Sequence, residues 1–110
     1  MPGAERAVVD IAKLRDYCLN PFHPRGRHKA RIFAAVLGLA QTDAEFSARS
    51  CLAQRAEASA TEGGADEYGE RYVVDFELTR NDRRAAVRSG WIIRRGEGFP
   101  RLTGCFVLLG

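Results

Sequence analysis

The sequence predicts an α+β fold, in which two or three N-terminal helices pack on one face of a three- to four-stranded antiparallel sheet. Apolar residues recur every three or four positions in the N-terminal half and alternate with polar residues in the C-terminal half, and the segment TEGGADE separates the two patterns. A length of 110 residues with 45% hydrophobic content suits one domain over residues 1–110, built around one core.

Three helices are predicted from the apolar spacing. The first spans residues 8–19 and ends at the Asn-Pro pair that follows. The second spans residues 30–39 and ends near Gly38. The third begins at Thr42, which has capping-box spacing to an acid three residues later, and it runs toward Ala60.

Three strands are predicted from the alternation. Residues 61–67 are small and acidic, and we expect a flexible connection there. Alternating apolar residues predict a first strand over residues 68–79, a turn at residues 81–82 and a second strand over residues 85–94. In a third strand, over residues 102–108, the even-numbered residues are expected to share one face.

The basic residues cluster, although the net charge of +3 is mild. The stretch PFHPRGRHKAR, residues 21–31, holds both histidines and no acid, and residues 80–95 hold six arginines with Asp82 as the one acid. All basic residues except Lys13 and Lys29 are arginine, whose planar guanidinium pairs with phosphate oxygens in a bidentate way. This pattern favours a phosphate-bearing partner. The alternative is the compositional bias of an alanine- and arginine-rich chain.

The loop at residues 20–29 is the first candidate site. Its two prolines and Gly26 restrict its course, and its cations project near the start of the second helix, where the helix dipole also favours an anion. If the face of the second strand that carries Arg88 and Arg94 lies near this loop, an RNA strand would be held across the sheet with its phosphodiester against the histidines.

Cleavage of RNA without a metal ion requires a base, an acid and cations that stabilise the phosphorane. Imidazole titrates near neutral pH, so His23 is the candidate base, with His28 or Lys29 as the candidate acid. Arg27 or Arg101 is the candidate phosphate stabiliser. No metal ion, metal ligand or organic cofactor is expected. The residues expected to bind the substrate are Arg27, His28, Arg88, Trp91 and Arg94, and the ring of Trp91, Tyr68 or Phe99 is expected to stack on a base.

Each of these features has a structural alternative. His23 lies between Phe22 and Pro24, where a histidine can serve as the cap of a turn. Trp91 lies on an alternating apolar face, which is typical of a core residue whose indole N–H is bonded internally. Arginines that flank hairpin turns also keep the edges of a sheet from pairing with neighbours.

Cysteine usage and hydropathy argue against other classes of protein. Cys18, Cys51 and Cys105 are far apart in the sequence and include no C-x-x-C pair, so they predict buried small apolar residues rather than disulfides or a zinc site. No run is long and apolar enough for a membrane helix, and the N-terminus lacks the pattern of a signal peptide. We therefore expect a cytoplasmic protein with no membrane partner.

Residues 13–39 and 68–102 resemble a bacterial domain family of unknown function. The pattern of that family runs K-L-x-x-Y-L-L-N, H-P-x-G-x-x-K-A-x-x-F and L-G, then Y-G-x-x-Y-x-V, W-I-I and P-R-L. The matching positions are Lys13, Leu14, Tyr17, Leu19, Asn20, His23, Pro24, Gly26, Lys29, Ala30, Phe33, Leu37, Gly38, Tyr68, Gly69, Tyr72, Val74, Trp91, Ile92, Ile93, Pro100, Arg101 and Leu102. The chain departs from the pattern after P-R-L, so the resemblance gives no role to Thr103.

Domains of this kind look like C-terminal modules of polymorphic toxins or members of toxin–antitoxin gene pairs. Their layout is similar to that of the ribonuclease toxin superfamily that includes barnase, colicin D and RelE-like proteins. The resemblance implies a toxin domain that acts on RNA as a metal-independent endoribonuclease, with His23, Lys29 and Arg101 at its site. It also implies an acidic antitoxin or immunity protein, because a nuclease in its own cytoplasm must be neutralised. The alternative function is a non-enzymatic module that binds a protein or a nucleic acid with the same basic surface.

Overall fold

The computed structural model describes residues 1–54 and 60–109 and confirms the predicted α+β class. In that part of the chain, the helices are α1 (Ile11–Lys13, continued by a π-helical turn over Leu14–Cys18), α2 (Arg27–Leu37) and α3 (Ala44–Gln54), with 3-10 turns at Ala4–Arg6 and Gln41–Asp43. The strands are β1 (Thr61–Asp66), β2 (Gly69–Arg80), β3 (Arg83–Arg94) and β4 (Arg101–Val107). They form an antiparallel sheet in the order β1-β2-β3-β4.

Helix α1 begins later than its apolar spacing predicts. Val8 is drawn into the sheet instead, because its N–H donates to Pro100 O at 2.9 Å and its carbonyl accepts from Leu102 N at 3.0 Å. The helix begins after Asp10, whose carboxylate accepts a hydrogen bond from Ala12 N at 2.9 Å. The pairing of Val8 beside β4 thus overrides the helical pattern at this point, and it covers the first part of the β4 edge.

Helix α2 begins at Arg27, three residues before its predicted start, so the loop expected over residues 20–29 is shorter than predicted. The helix ends near Gly38, as predicted, and Gly38 caps it with the left-handed φ of 69° that favours glycine. Helix α3 begins at Ala44, but its cap differs from the predicted one. Thr42 lies within the preceding 3-10 turn, and the carboxylate of Asp43 accepts a hydrogen bond from Ala40 N at 2.9 Å at the start of that turn. The predicted continuation of this helix toward residue 60 runs through residues 55–59, which lie outside the described residues.

The segment at residues 61–67 is a strand for most of its length, which corrects the prediction of a flexible connection. All six residues of β1 are exposed, and β1 pairs with β2 from Thr61 opposite Val73 to Asp66 opposite Gly69. Small and acidic residues have low strand propensity, but the backbone groups of β2 supply a template that overrides it. The hairpin turn between β2 and β3 lies where it was predicted, with Asn81 at a φ of 56°.

The core lies between the helices and one face of the sheet. Its largest fully buried side chains include Leu14, Leu19, Phe33, Leu37, Leu39, Val74, Val87 and Trp91. The indole N–H of Trp91 donates to Ser89 Oγ at 2.9 Å, and that hydroxyl donates to Val74 O at 3.0 Å. This chain of bonds satisfies the buried polar atoms, so the apolar face closes without an unpaired group at this point.

A register shift between β3 and β4 changes which residues of β4 face the core. Gly90 pairs with Gly104 and Trp91 pairs with Leu102, so Thr103 is the extra residue of a bulge. As a result Leu102 and Cys105 are both buried, although strict alternation would place them on opposite faces. The expectation that the even-numbered residues of 102–108 share one face was therefore wrong.

None of the helices in the described part of the chain has the length and apolar content needed to cross a membrane.

Candidate functional site

The conformation of the loop between α1 and α2 is stabilised by hydrogen bonds between its own side chains and the backbone. The amide of Asn20 bonds in both directions, since its Oδ1 accepts from Phe22 N at 3.0 Å and its Nδ2 donates to Asp16 O at 3.2 Å. These bonds close the turn after α1 and fix the direction in which the chain leaves the helix.

His23 holds the second half of this loop. Its Nδ1 accepts hydrogen bonds from Arg25 N at 3.0 Å and Gly26 N at 3.1 Å, and its ring meets the edge of the Tyr17 ring at 4.7 Å between centroids. Because Nδ1 accepts two N–H groups, the neutral imidazole carries its proton on Nε2 and has no free lone pair. The geometry therefore favours the turn-capping alternative over the expected role of His23 as a base.

Gly26 allows the two helices to meet closely. A Cβ at this position would lie 2.7 Å from the carbonyl oxygen of Tyr17 and 3.1 Å from two carbons of its ring. Any larger residue would push the start of α2 away from the end of α1. The spacing of Tyr17, His23 and Gly26 in the sequence thus builds one rigid corner.

The cationic segment, which we define as Arg25, Arg27, His28, Lys29 and Arg31, follows this corner. Arg27 donates to the carbonyl of Pro24 and Arg31 donates to that of Pro21, but carbonyl contacts do not neutralise a charge. Within the described residues, no ion pair joins a member of the segment to a carboxylate. The segment therefore presents uncompensated positive charge to solvent.

One end of the segment opens into a cleft against the sheet, which we call the Lys29 cleft. Its volume is about 200 Å³. It is lined by Tyr17, Cys18, Gly26, Lys29, Val73, Arg88, Gly90, Thr103, Gly104, Cys105 and Phe106. The ammonium of Lys29 lies 4.1 Å from the centroid of the Phe106 ring. The fold thus brings Lys29 and Arg88 to one cleft, whereas Arg94, which was expected beside Arg88, lines another cavity.

Arg88 reaches the cleft as half of an ion pair. Its Nε and Nη2 donate to the two carboxylate oxygens of Asp75, each at 2.8 Å. This hydrogen bonding lowers the pKa of Asp75 and raises the pKa of Arg88. The charge of Arg88 is shared, but its remaining N–H groups stay available to another acceptor.

Arg101 does not line the Lys29 cleft. It donates to both carboxylate oxygens of Glu97, at 2.9 and 2.8 Å, and this hydrogen bonding lowers the pKa of Glu97. Together with Lys13 and Arg94, Arg101 lines a separate cavity of about 90 Å³. The structure thus places only Lys29 of the three expected catalytic residues on the cleft wall, with His23 behind Tyr17 and Arg101 in another cavity.

The residues expected to bind the substrate divide in the same way. Arg27 is half-buried and His28 is exposed on the cationic segment, and Arg88 lines the cleft, whereas Arg94 lies with Arg101. Trp91 is 1% exposed and belongs to the core. Its ring faces no solvent, which corrects the expectation that it stacks on a base.

Sequence reasoning passed over several residues that line the cleft. Thr103 reaches it through the β4 bulge, and a Cβ at Gly90 would lie 2.9 Å from the Thr103 hydroxyl. Gly90 and Gly104 are register partners, so no side chain covers the backbone of the sheet at this pair. A glycine in each of two neighbouring strands was the available signal, because each interrupts an otherwise alternating pattern.

Cys18 also lines the cleft, and its pKa is lowered to about 7. The main cause is a hydrogen bond with Cys105, and the charges of Lys13 and Lys29 act in the same direction. In the described ranges 1–54 and 60–109, no three His, Cys, Asp or Glu side chains form a group that could hold a metal ion.

Comparison with known proteins gives one match. The model of a family described as "Domain of unknown function (DUF6883)" matches residues 1–109. This match confirms the resemblance to a domain family of unknown function. No curated protein and no solved structure matches the chain.

Proposed function

We propose that this chain, which belongs to the DUF6883 family, is a toxin domain that cleaves RNA without a metal ion and binds the scissile phosphate in the Lys29 cleft. One observation carries the proposal. Lys29 and Arg88 line the same cleft at the end of a segment whose cations have no acidic partner among the described residues.

The cationic segment supplies the grip on the RNA backbone. Arginine and lysine that contact phosphates release condensed counterions, which favours binding at low salt. No side chain caps α2 at Gly26, so the positive end of the helix dipole adds to the field of the segment. An RNA strand that follows the segment reaches the cleft at Lys29.

The cleft supplies charge where the cleavage reaction develops it. The 2′-hydroxyl gives its proton to solvent water, its oxygen attacks phosphorus and the bond from phosphorus to the 5′-oxygen breaks, so that negative charge grows on the phosphorane oxygens. Lys29 and the free N–H groups of Arg88 stabilise that charge, and the Thr103 hydroxyl offers a further hydrogen bond. The Lys29 ammonium also donates a proton to the leaving oxygen. His23 acts as a positioning residue, because it holds the corner from which Lys29 projects.

A specific observation favours a second candidate function. His23 uses its lone pair inside the loop, and Arg101 is paired with Glu97, so the expected general base is not assembled at the cleft. A non-enzymatic module would need only the cationic segment, with which it would bind a nucleic acid or a protein. In either case an acidic antitoxin or immunity protein fits the surface, since carboxylates complement it. A cytoplasmic site of action follows from the RNA substrate and remains part of the proposal.

The two lysines of the chain provide a matched test of the ribonuclease proposal. Purified wild-type protein is incubated with total RNA, with and without EDTA, beside Lys29→Ala and Lys13→Ala. We expect EDTA-resistant cleavage that Lys29→Ala slows by about 100-fold or more, as for the loss of one donor that stabilises the transition state. Lys13→Ala, which removes the same charge outside the cleft, is expected to stay within about threefold of wild type.

The remaining outcomes separate the candidates. Folded wild type that retains RNA on a filter at low salt but does not cleave it would establish the binding module and exclude the ribonuclease. A protein that neither cuts nor retains RNA would exclude both functions on RNA.

A further inference from the structure

Three cysteines that are far apart in the sequence meet in the core. Cys18 ends the π-helical turn, Cys51 lies on α3 and Cys105 lies on β4, and all three are buried free thiols. All three belong to one buried cluster, and interaction with Cys18 and Cys51 raises the pKa of Cys105. The prediction that the cysteines are buried is confirmed, but they form a cluster rather than three separate core positions.

Two of the three thiols border the Lys29 cleft. Cys18 and Cys105 are among its lining residues, whereas Cys51 is not. Gly104 lies next to Cys18 on the cleft wall, because a Cβ added to Gly104 would lie 4.0 Å from Cys18 Sγ. Cys18 is buried, but it lines the cleft, and because Gly104 has no side chain, no Cβ stands beside the sulfur on that side.

Charge distinguishes the two thiols at the cleft. The pKa of Cys18 is about 7, chiefly through its hydrogen bond with Cys105 and also through Lys13 and Lys29. Burial and the contacts with Cys18 and Cys51 raise the pKa of Cys105. Near neutral pH, a substantial fraction of Cys18 is therefore in the thiolate form, whereas Cys105 stays a neutral thiol.

We infer that Cys18 is an oxidation site on the wall of the Lys29 cleft, where a small hydroperoxide oxidises it and Cys105 then closes a disulfide with it. In the first step the thiolate sulfur attacks a peroxide oxygen, the O–O bond breaks, and the departing oxygen takes up a proton from solvent. In the second step the Cys105 sulfur attacks the sulfenic acid of Cys18 and water leaves. Two thiols thus supply the two electrons that reduce one hydrogen peroxide to two waters.

The partner choice follows from position. Cys105 lines the same cleft as Cys18, whereas Cys51 lies on α3 and does not line it. The sulfenic acid therefore forms within reach of Cys105. This inference does not depend on RNA cleavage, because its product is a covalent bond that is detected without any substrate.

The test uses the full chain and hydrogen peroxide at a few molar equivalents. After denaturation in iodoacetamide and digestion, we expect a peptide pair linked through Cys18 and Cys105 that dithiothreitol separates, with Cys51 recovered in alkylated form. Cys51→Ala should give the same linked pair. Cys105→Ser should instead accumulate a sulfenic acid on Cys18 that dimedone traps. A linked pair of Cys51 and Cys105, or equal oxidation of all three thiols, would overturn the inference.

Gly104→Ala tests the path to the sulfur while every thiol is kept. The new methyl group makes an ordinary contact with Cys18 Sγ, so the fold should be retained, as checked by circular dichroism. We expect disulfide formation to slow by about fivefold or more because access to the thiolate is narrowed. An unchanged rate with an intact fold would show that peroxide reaches Cys18 by another route and would overturn the cleft as the site.

Discussion

The cationic segment and the arginines of the sheet contain the same type of residue in two different electrostatic settings. On the sheet, Arg71, Arg88 and Arg101 each form an ion pair with a nearby carboxylate. On the segment, Arg25, Arg27, Lys29 and Arg31 form no such pair within the described residues. Arg83, Arg84 and Arg94 of β3 also form no ion pair among the described residues. A count of arginines in the sequence therefore does not distinguish a paired arginine from an unpaired one, although only the unpaired one leaves its full charge free for a ligand.

The difference arises from how each element arranges its neighbours. In the antiparallel sheet, Arg88 and Asp75 are register partners, so their side chains lie on the same face of adjacent strands and meet directly. Arg25 lies on the loop and the other members lie on the first two turns of α2, where no register partner supplies an acid. Strand register thus brings an acid that is 13 residues away in the sequence to Arg88, whereas the cationic segment has no such partner.

The pairing on the sheet also persists at neutral pH. Hydrogen bonds from Arg88 lower the pKa of Asp75, and those from Arg101 lower the pKa of Glu97. A carboxylate whose pKa is lowered on folding stabilises the fold above its unfolded pKa, and that contribution is lost as the pH falls through the folded pKa. Both arginines therefore stay paired over the range in which RNA binding would be measured.

The largest expected effect comes from the residue that holds the segment in place. His23→Ala removes the acceptor of two backbone N–H groups, and we expect it to lower the free energy of unfolding by about 1 to 2 kcal/mol in urea denaturation. His23→Asn keeps a short acceptor that suits such turns, so it should recover most of the stability and of the RNA cleavage. If the His23→Asn protein were stable but did not cleave RNA, His23 would act in proton transfer and not as a positioning residue.

A second prediction compares one arginine from each region. Arg25→Gln removes a free charge, and we expect it to weaken RNA retention about fivefold and to reduce the salt dependence by about 0.7 in the slope of log K against log salt. Arg101→Gln removes a paired charge and should change retention by less than about twofold. Filter binding at several salt concentrations measures both. Equal losses in the two variants would mean that pairing does not decide which arginines contact RNA.

The smallest expected effect is a gain. Asp75→Asn releases Arg88 at the cleft, and we expect RNA retention to tighten by about threefold at low salt. Asp82→Asn changes the net charge equally but lies in the hairpin turn, where its carboxylate takes part in no ion pair among the described residues. It should therefore leave retention unchanged. An equal gain in both variants would attribute the effect to net charge alone.

Much of the fold could be predicted because its signals are local. Apolar spacing identifies α2 and β3, and Gly38 ends a helix where its own backbone permits the required φ. The errors fall where a distant partner decides. Val8 pairs with β4, and residues 61–66 form a strand by pairing with β2. Neither conformation can be predicted from the adjacent residues in the sequence.

The candidate site was predictable in part for the same reason. The absence of acids from the cationic segment is visible in the sequence itself, and in the described residues the segment also forms no ion pair. The pairing of Arg101 with Glu97 depends on the turn that leads into β4, and the bulge at Thr103 and the clustering of Cys18 with Cys105 depend on strand register and helix packing. Contacts between residues that are far apart in the sequence can be identified only from the tertiary structure.

The burial of Trp91 in the core has a practical consequence for fluorescence spectroscopy. It is the single tryptophan of the chain, and its indole lies in hydrocarbon with its N–H already bonded. Its fluorescence should therefore emit at short wavelength, resist quenching by iodide and shift to the red only when the core opens. The emission spectrum is thus a label-free report on folding for every variant described above, and it should stay unchanged when RNA is added.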